Sequence, residues 1–256
     1  MRLQELFLVE TTEEDRAIIS LSLAVYAHLK KYSGKQPPNG QPINVGTIGE
    51  IFDTPINILD PVEIQVWSNE DVLAKFPRTK KEIEEEPEDT RTIVGFWDSD
   101  PEVIVFNADY LDSNTLKSAA THELRHALDD YKSGFYASAS ERYDTPRKKE
   151  HRKDYSNDPY ATQLQKKQAY HAKPAEINAR FAEVLHALSI QIAHIVKKPN
   201  NGPALQRAIK IFNHLLVTKH IAHLFPEKEH SGDYKRLVKR GVDFIQKELA
   251  HLQPQK

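Results

Sequence analysis

The chain has 256 residues, 35 of them basic against 37 acidic, and no cysteine. A balance so near neutrality speaks against a nucleic-acid-binding surface spread over the molecule, and the missing thiols exclude disulfides, thiolate catalysis and cysteine zinc ribbons. No apolar run approaches membrane-spanning length and Met1-Arg-Leu-Gln-Glu-Leu-Phe-Leu-Val-Glu10 is too short and too charged for a signal peptide, so a soluble, cytoplasmic protein without a membrane partner is expected.

The first expected element is a helix over about residues 12–33. Thr12 with Asp15 forms its N-cap, Ile18, Leu21, Val25 and Leu29 its apolar stripe, and Ser33-Gly34 its end. A Pro/Gly-rich passage from Gln36 to Asn44 follows. Val62-Glu-Ile-Gln-Val-Trp67 alternates apolar and polar as a half-buried strand does, and the acidic run from Glu82 to Asp89 reads as an exposed loop. Thr92-Ile-Val-Gly-Phe-Trp97 and Glu102-Val-Ile-Val-Phe-Asn107 are rich in β-branched and aromatic residues. The turn sequence Asp98-Ser-Asp-Pro101 joins them into a hairpin.

Asp112-Ser113-Asn114 then offers an N-cap, and Leu116, Ala119, Ala120, Leu124 and Leu128 recur at helical spacing, predicting a helix over about 114–131. Asp129 and Asp130 oppose the dipole at its C-terminus and read as a solvated end. Residues 132–173 are polar and tyrosine-rich, an insertion that is either a flap or a disordered loop. Its basic run Arg147–Lys153, flanked by Tyr143, Tyr155 and Tyr160, is weighed as a nucleic-acid segment and read instead as a solvated loop. Pro174 opens an amphipathic helix with the stripe Ile177, Phe181, Val184, Leu185, Leu188, Ile192 and Ile195, ended by Lys197-Lys-Pro199. Two further helices, over about 203–252, carry Leu205, Ile209, Phe212 and Leu216, ended by Pro226, and Leu237, Phe244, Ile245, Leu249 and Leu252. His186, His194, His214, His220 and His223 are read as structural or solvated.

The segment Thr121-His-Glu-Leu-Arg-His-Ala-Leu128 carries the chemistry. It is an HExxH motif in the middle of a predicted helix, and no other pair of the twelve histidines brackets a glutamate at this spacing. Four residues advance a helix by about 400°, so His122 and His126 share one face and can share one ion, with Glu123 beside them. Two neutral imidazoles fix a zinc ion, and a carboxylate that does not bind it takes a proton from the water that the metal activates. A catalytic zinc takes a third protein ligand, for which Glu176, at the edge of the buried stripe after Pro174, is the best candidate. The alternative for Glu176 is a first-turn acid that stabilises the helix dipole. Tyr170 is weighed as a hydroxyl donor to an oxyanion and read as packing.

Together, His-Glu-Leu-Arg-His-Ala-Leu and Tyr170-xxx-Pro174-x-Glu176-xx-Ala179-Arg180 resemble the HExxH metallopeptidase-like domains of bacteriophage and mobile-element proteins. Glu176-Ile-Asn-Ala-Arg-Phe-Ala182 is distantly similar to a helix of the ImmA/IrrE-type peptidases. The resemblance covers about residues 92–185. One departure is the separation of His126 from Glu176, longer than in the compact ImmA-like pattern. The resemblance implies an α+β, zincin-like fold: a small sheet packed on the metal-binding helix, with the hairpin as the edge that holds a peptide, and a mainly helical C-terminal half. It implies Zn2+ held by His122, His126 and Glu176, Glu123 as general base, and Arg180 as a group that holds a carboxylate in place, the alternative being an ordinary surface arginine.

The function so expected is zinc-dependent hydrolysis of peptide bonds, with a peptide or protein as substrate, by one domain spanning 1–256. Two alternatives stand beside it. One is a virion or assembly protein on the same fold with a structural or vestigial metal, partnered by other virion or host proteins. The other is a regulatory protease or adaptor acting on a single partner.

Overall fold

The computed structural model describes residues 12–76, 93–133, 174–197, 203–219, 221–225 and 232–252. The acidic run at 82–89, residues 134–173 with their basic run and tyrosines, Tyr170 and His220 lie outside them, as does the side chain of His223. The described elements are α1 (Thr12–Leu29), β1 (Ile43–Thr47), α2 (Ile48–Ile51), β2 (Glu63–Trp67), α3 (Asn69–Lys75), β3 (Gly95–Asp98), β4 (Val103–Asn107), α4 (Thr115–Ser133), α5 (Pro174–Lys197), α6 (Ala204–Thr218) and α7 (Gly232–Leu252). Among the described residues, seven α-helices and a small mixed sheet make a mixed α and β architecture, compatible with the expected α+β class. Among the described residues no helix is long and apolar enough to cross a membrane.

The sheet order is β1-β2-β4-β3. β3 and β4 form the expected antiparallel hairpin, with Trp97 opposite Ile104. β2 joins β4 in parallel, Ile64 beside Ile104, and β1 closes the far side antiparallel to β2. The alternation expected of β2 is present, with Ile64 and Val66 buried between half-buried neighbours. β4 is buried at all five positions because both of its faces are covered. On one face Ile104 and Phe106 join α1 (Ile18, Leu21, Val25, Leu29) and α4 (Leu116, Ala120, Leu124, Ala127, Leu128) in the first core. On the other, Val103, Val105 and Phe96 pack with Val72 of α3. α5, α6 and α7 build a second core around Phe181, Val184, Leu188, Phe212, Phe244 and Ile245, which Ile19 of α1 also enters.

Several local expectations are corrected. β1 forms at the end of the Pro/Gly-rich passage, where no strand was expected, because its five residues are recruited as a partner for β2 and Gly46 (φ 121°) relieves a register shift in the pair. Two short helices, α2 and α3, were also missed. Each starts at a hydroxyl cap: Thr47 in a capping box with Glu50, and Ser68 accepting from Asp71 N. α6 stops at Thr218, before the expected Pro226, and a 3-10 turn over Ile221–Leu224 follows. The C-terminal end of α4 is not solvated: Asp129 and Asp130 are 2% and 1% exposed, because both meet donors from other elements. α4 also runs on to Ser133, into the range expected for the insertion.

Candidate metal centre

α4 lies between the sheet, α1 and α5, and it uses each side of its helix differently. At about 100° per residue, Leu124 points into the first core, Glu123 and Asp130 fall together on a second side, Arg125 and Thr121 on a third, and His122 and His126 opposite the core. The second side faces β3. Glu123 Oε2 accepts from Trp97 N at 2.8 Å, and Asp130 Oδ2 accepts from Trp97 Nε1 at 2.6 Å, so one tryptophan of the edge strand is held at backbone and ring by two acids a double turn apart. The indole N–H is one donor that lets Asp130 be buried.

The histidine side faces the first turn of α5, where Pro174 starts the helix and Glu176 follows two residues later. His122 Nε2 and His126 Nε2 are 3.0 Å apart, and Glu176 Oε2 is 3.5 and 3.4 Å from them. Three donors bound to one tetrahedral zinc at about 2.0–2.1 Å stand about 3.3–3.4 Å from each other. The triangle therefore has the size that a zinc ion requires, and its donor set of two imidazoles and one carboxylate suits that metal. Among the described residues these three make the one group able to hold a metal. Glu123 is not part of it.

Electrostatics favour a cation there. Burial opposes a charge on His122, but hydrogen bonds with Glu176 and Glu183 outweigh it and raise its pKa to about 10. Burial, opposed by the two histidines and the Trp97 N–H, raises Glu123 above the usual carboxylate range.

The residues around the triangle orient it. Arg180 Nε stands 2.8 Å from Glu176 Oε1, one turn along α5. His122 Nδ1 is 2.8 Å from Glu183 Oε1, whose other oxygen takes bonds from Ser118 Oγ (2.6 Å) and Lys219 Nζ (3.0 Å). A carboxylate on Nδ1 fixes the tautomer that leaves Nε2 free for a metal. Glu183 was not singled out in the sequence. The signal was there: Glu176, Arg180 and Glu183, at intervals of four and three, form a charged stripe beside an apolar one. Of the other histidines, His186 is buried, with Nδ1 2.6 Å from Thr121 Oγ1, and burial lowers its pKa to about 4, so it is neutral and structural as expected. No protein-family model, curated protein or solved structure matches this chain.

Proposed function

We propose that this protein is a zinc-dependent peptidase with His122, His126 and Glu176 as metal ligands and Glu123 as general base. The observation that carries the reading is the separation of two carboxylates at one centre: Glu176 completes a zinc-sized triangle, whereas Glu123, next to His122 in sequence, stays out of it and is turned toward the sheet edge. Ligand and base are different groups, as hydrolysis requires.

What zinc supplies when bound is Lewis acidity, enough to polarise a carbonyl and to acidify water toward neutral pH. The chain's own residues do the rest. Glu123, with a pKa raised by burial, accepts a proton from the attacking water and returns it to the leaving amine. β3, the edge strand, offers main-chain groups to an extended peptide beside the triangle, and Trp97 fixes that edge against Glu123. Glu183 and Arg180 keep His122 and Glu176 oriented. The HExxH metallopeptidase resemblance and the order of a small sheet, metal helix and helical C-terminal half support the same reading.

The test is elemental analysis of untagged protein purified without chelators, followed by a degenerate-peptide screen. About one zinc per chain is expected, reduced in Glu176→Ala, with turnover that Glu123→Gln lowers by about a hundredfold or more while zinc stays bound. A Glu123→Gln protein that cleaves as fast as wild type refutes the mechanism. Bound zinc without turnover on any peptide favours the assembly-protein alternative.

A further inference from the structure

The first turn of a helix is its weakest part, because its N–H groups have no partners within the helix. Glu176 sits in such a turn, fifty positions after His126, so the sequence connection to the histidines does not place it. Two residues further on, Asn178 is 4% exposed and cross-links three helices. Its Nδ2 donates to Asp129 Oδ2 on α4 at 2.9 Å. Its Oδ1 accepts from Arg240 Nη1 on α7 at 3.1 Å. Arg240 is itself fixed: it donates through Nε (2.9 Å) and Nη2 to both oxygens of Asp15 on α1, and its guanidinium lies 5.2 Å from the centre of the Phe181 ring. A side-chain amide is suited to this place because it donates to a carboxylate on one side and accepts from a guanidinium on the other.

We infer that Asn178 is a positioning residue for the metal centre, through which α4 and the C-terminal helix α7 together hold Glu176 against the two histidines. The inference rests on the metal-site reading above. Asn178 is not itself one of the three ligands. It acts by fixing the backbone from which Glu176 projects, so α7, remote from the site in sequence, is part of what sets metal affinity.

The experiment is zinc titration of full-length wild type, Asn178→Ala and Arg240→Lys by chelator competition, with copper(II) titration of Glu176→Ala and the Glu176→Ala/Asn178→Ala pair. Arg240→Lys keeps a charge against Asp15 while withdrawing the fork that reaches Asn178, and serves if Asn178→Ala does not fold. Zinc binding is expected to weaken about tenfold or more in Asn178→Ala and in the same direction in Arg240→Lys. Copper(II), the divalent ion that imidazoles bind most tightly, is expected to bind the two Glu176→Ala proteins equally, because the residual two-histidine site lies wholly on α4. Unchanged zinc affinity in the variants overturns the inference, as does a copper(II) affinity that falls with Asn178 when Glu176 is already gone. Absence of zinc binding by wild type refutes instead the metal-site reading on which the inference rests.

Discussion

Glu183 shows how much of the centre lies outside the motif. Removing its charge while keeping its shape, as in Glu183→Gln, leaves His122 Nδ1 with a weaker partner and Lys219 without its carboxylate. Zinc affinity is expected to fall about 10–100-fold, read by chelator competition, with the helix content unchanged by circular dichroism. Trp97 is a second such residue. Trp97→Phe keeps the aromatic surface and the backbone bond to Glu123 but deletes the indole donor to buried Asp130. A loss of about 1–3 kcal/mol is expected in denaturant unfolding. A loss within error of zero contradicts the assignment of the indole as a principal donor to Asp130.

Helices α6 and α7 meet at a glycine. A Cβ built on Gly241 comes 2.1 Å from Cζ of Phe212, a fully buried ring. Alanine in a helix interior is normally about 0.8–1.0 kcal/mol better than glycine, so propensity and packing act in opposite directions here. Packing is expected to win, because a fully buried ring has little room to shift: an overpacking cost of about 1–3 kcal/mol, less the propensity gain, leaves Gly241→Ala up to about 2 kcal/mol less stable. The denaturation midpoint moves down with the slope unchanged. Restoring space with Phe212→Leu in the Gly241→Ala background recovers part of the loss. The same contact explains why α7 could be predicted from its apolar stripe whereas its seat on α6 could not: the stripe names a face, not the neighbour that the face meets.

Among the described residues Arg125, inside the HExxH segment, is the largest fully buried side chain. It pairs with Asp129 (2.9 Å) and Glu14 (3.2 Å), burial lowers its pKa to about 10, and it remains charged at neutral pH. With Arg240 and Lys132 facing Asp15 and Glu14, three cations and three carboxylates link α1, α4 and α7 between the two cores. Arg125→Met removes one cation and leaves buried carboxylates undercompensated, at an expected cost of about 3–5 kcal/mol. The cores are expected to unfold together. Both tryptophans, Trp67 and Trp97, lie in the sheet, whereas much of the helix lies in the C-terminal half. Transitions followed by tryptophan fluorescence and by far-ultraviolet circular dichroism should therefore coincide. Separate midpoints would show that the ion network does not couple the halves.

The HExxH spacing, the hairpin, the alternation of β2 and the stripes of α1, α5, α6 and α7 were legible in the chain because each is set by residues within a few positions of one another. Periodicity and capping are local. Glu176 was legible as a candidate only: its sequence position suits a helix-dipole role equally well, and folding alone brings it within 3.5 Å of both histidines. Asp129 and Asp130 were misread for the same reason, since a carboxylate at a helix end is unfavourable until a distant asparagine or indole meets it. β1 could not be read at all, because a strand so short is stable only when another strand is beside it. The sequence by itself determined the long helices, the hairpin and β2, and which helix bears the histidines. Only the tertiary structure decided which distant polar groups share the interior with them, because burying a charge or an amide is tolerated only where a partner from elsewhere in the chain arrives.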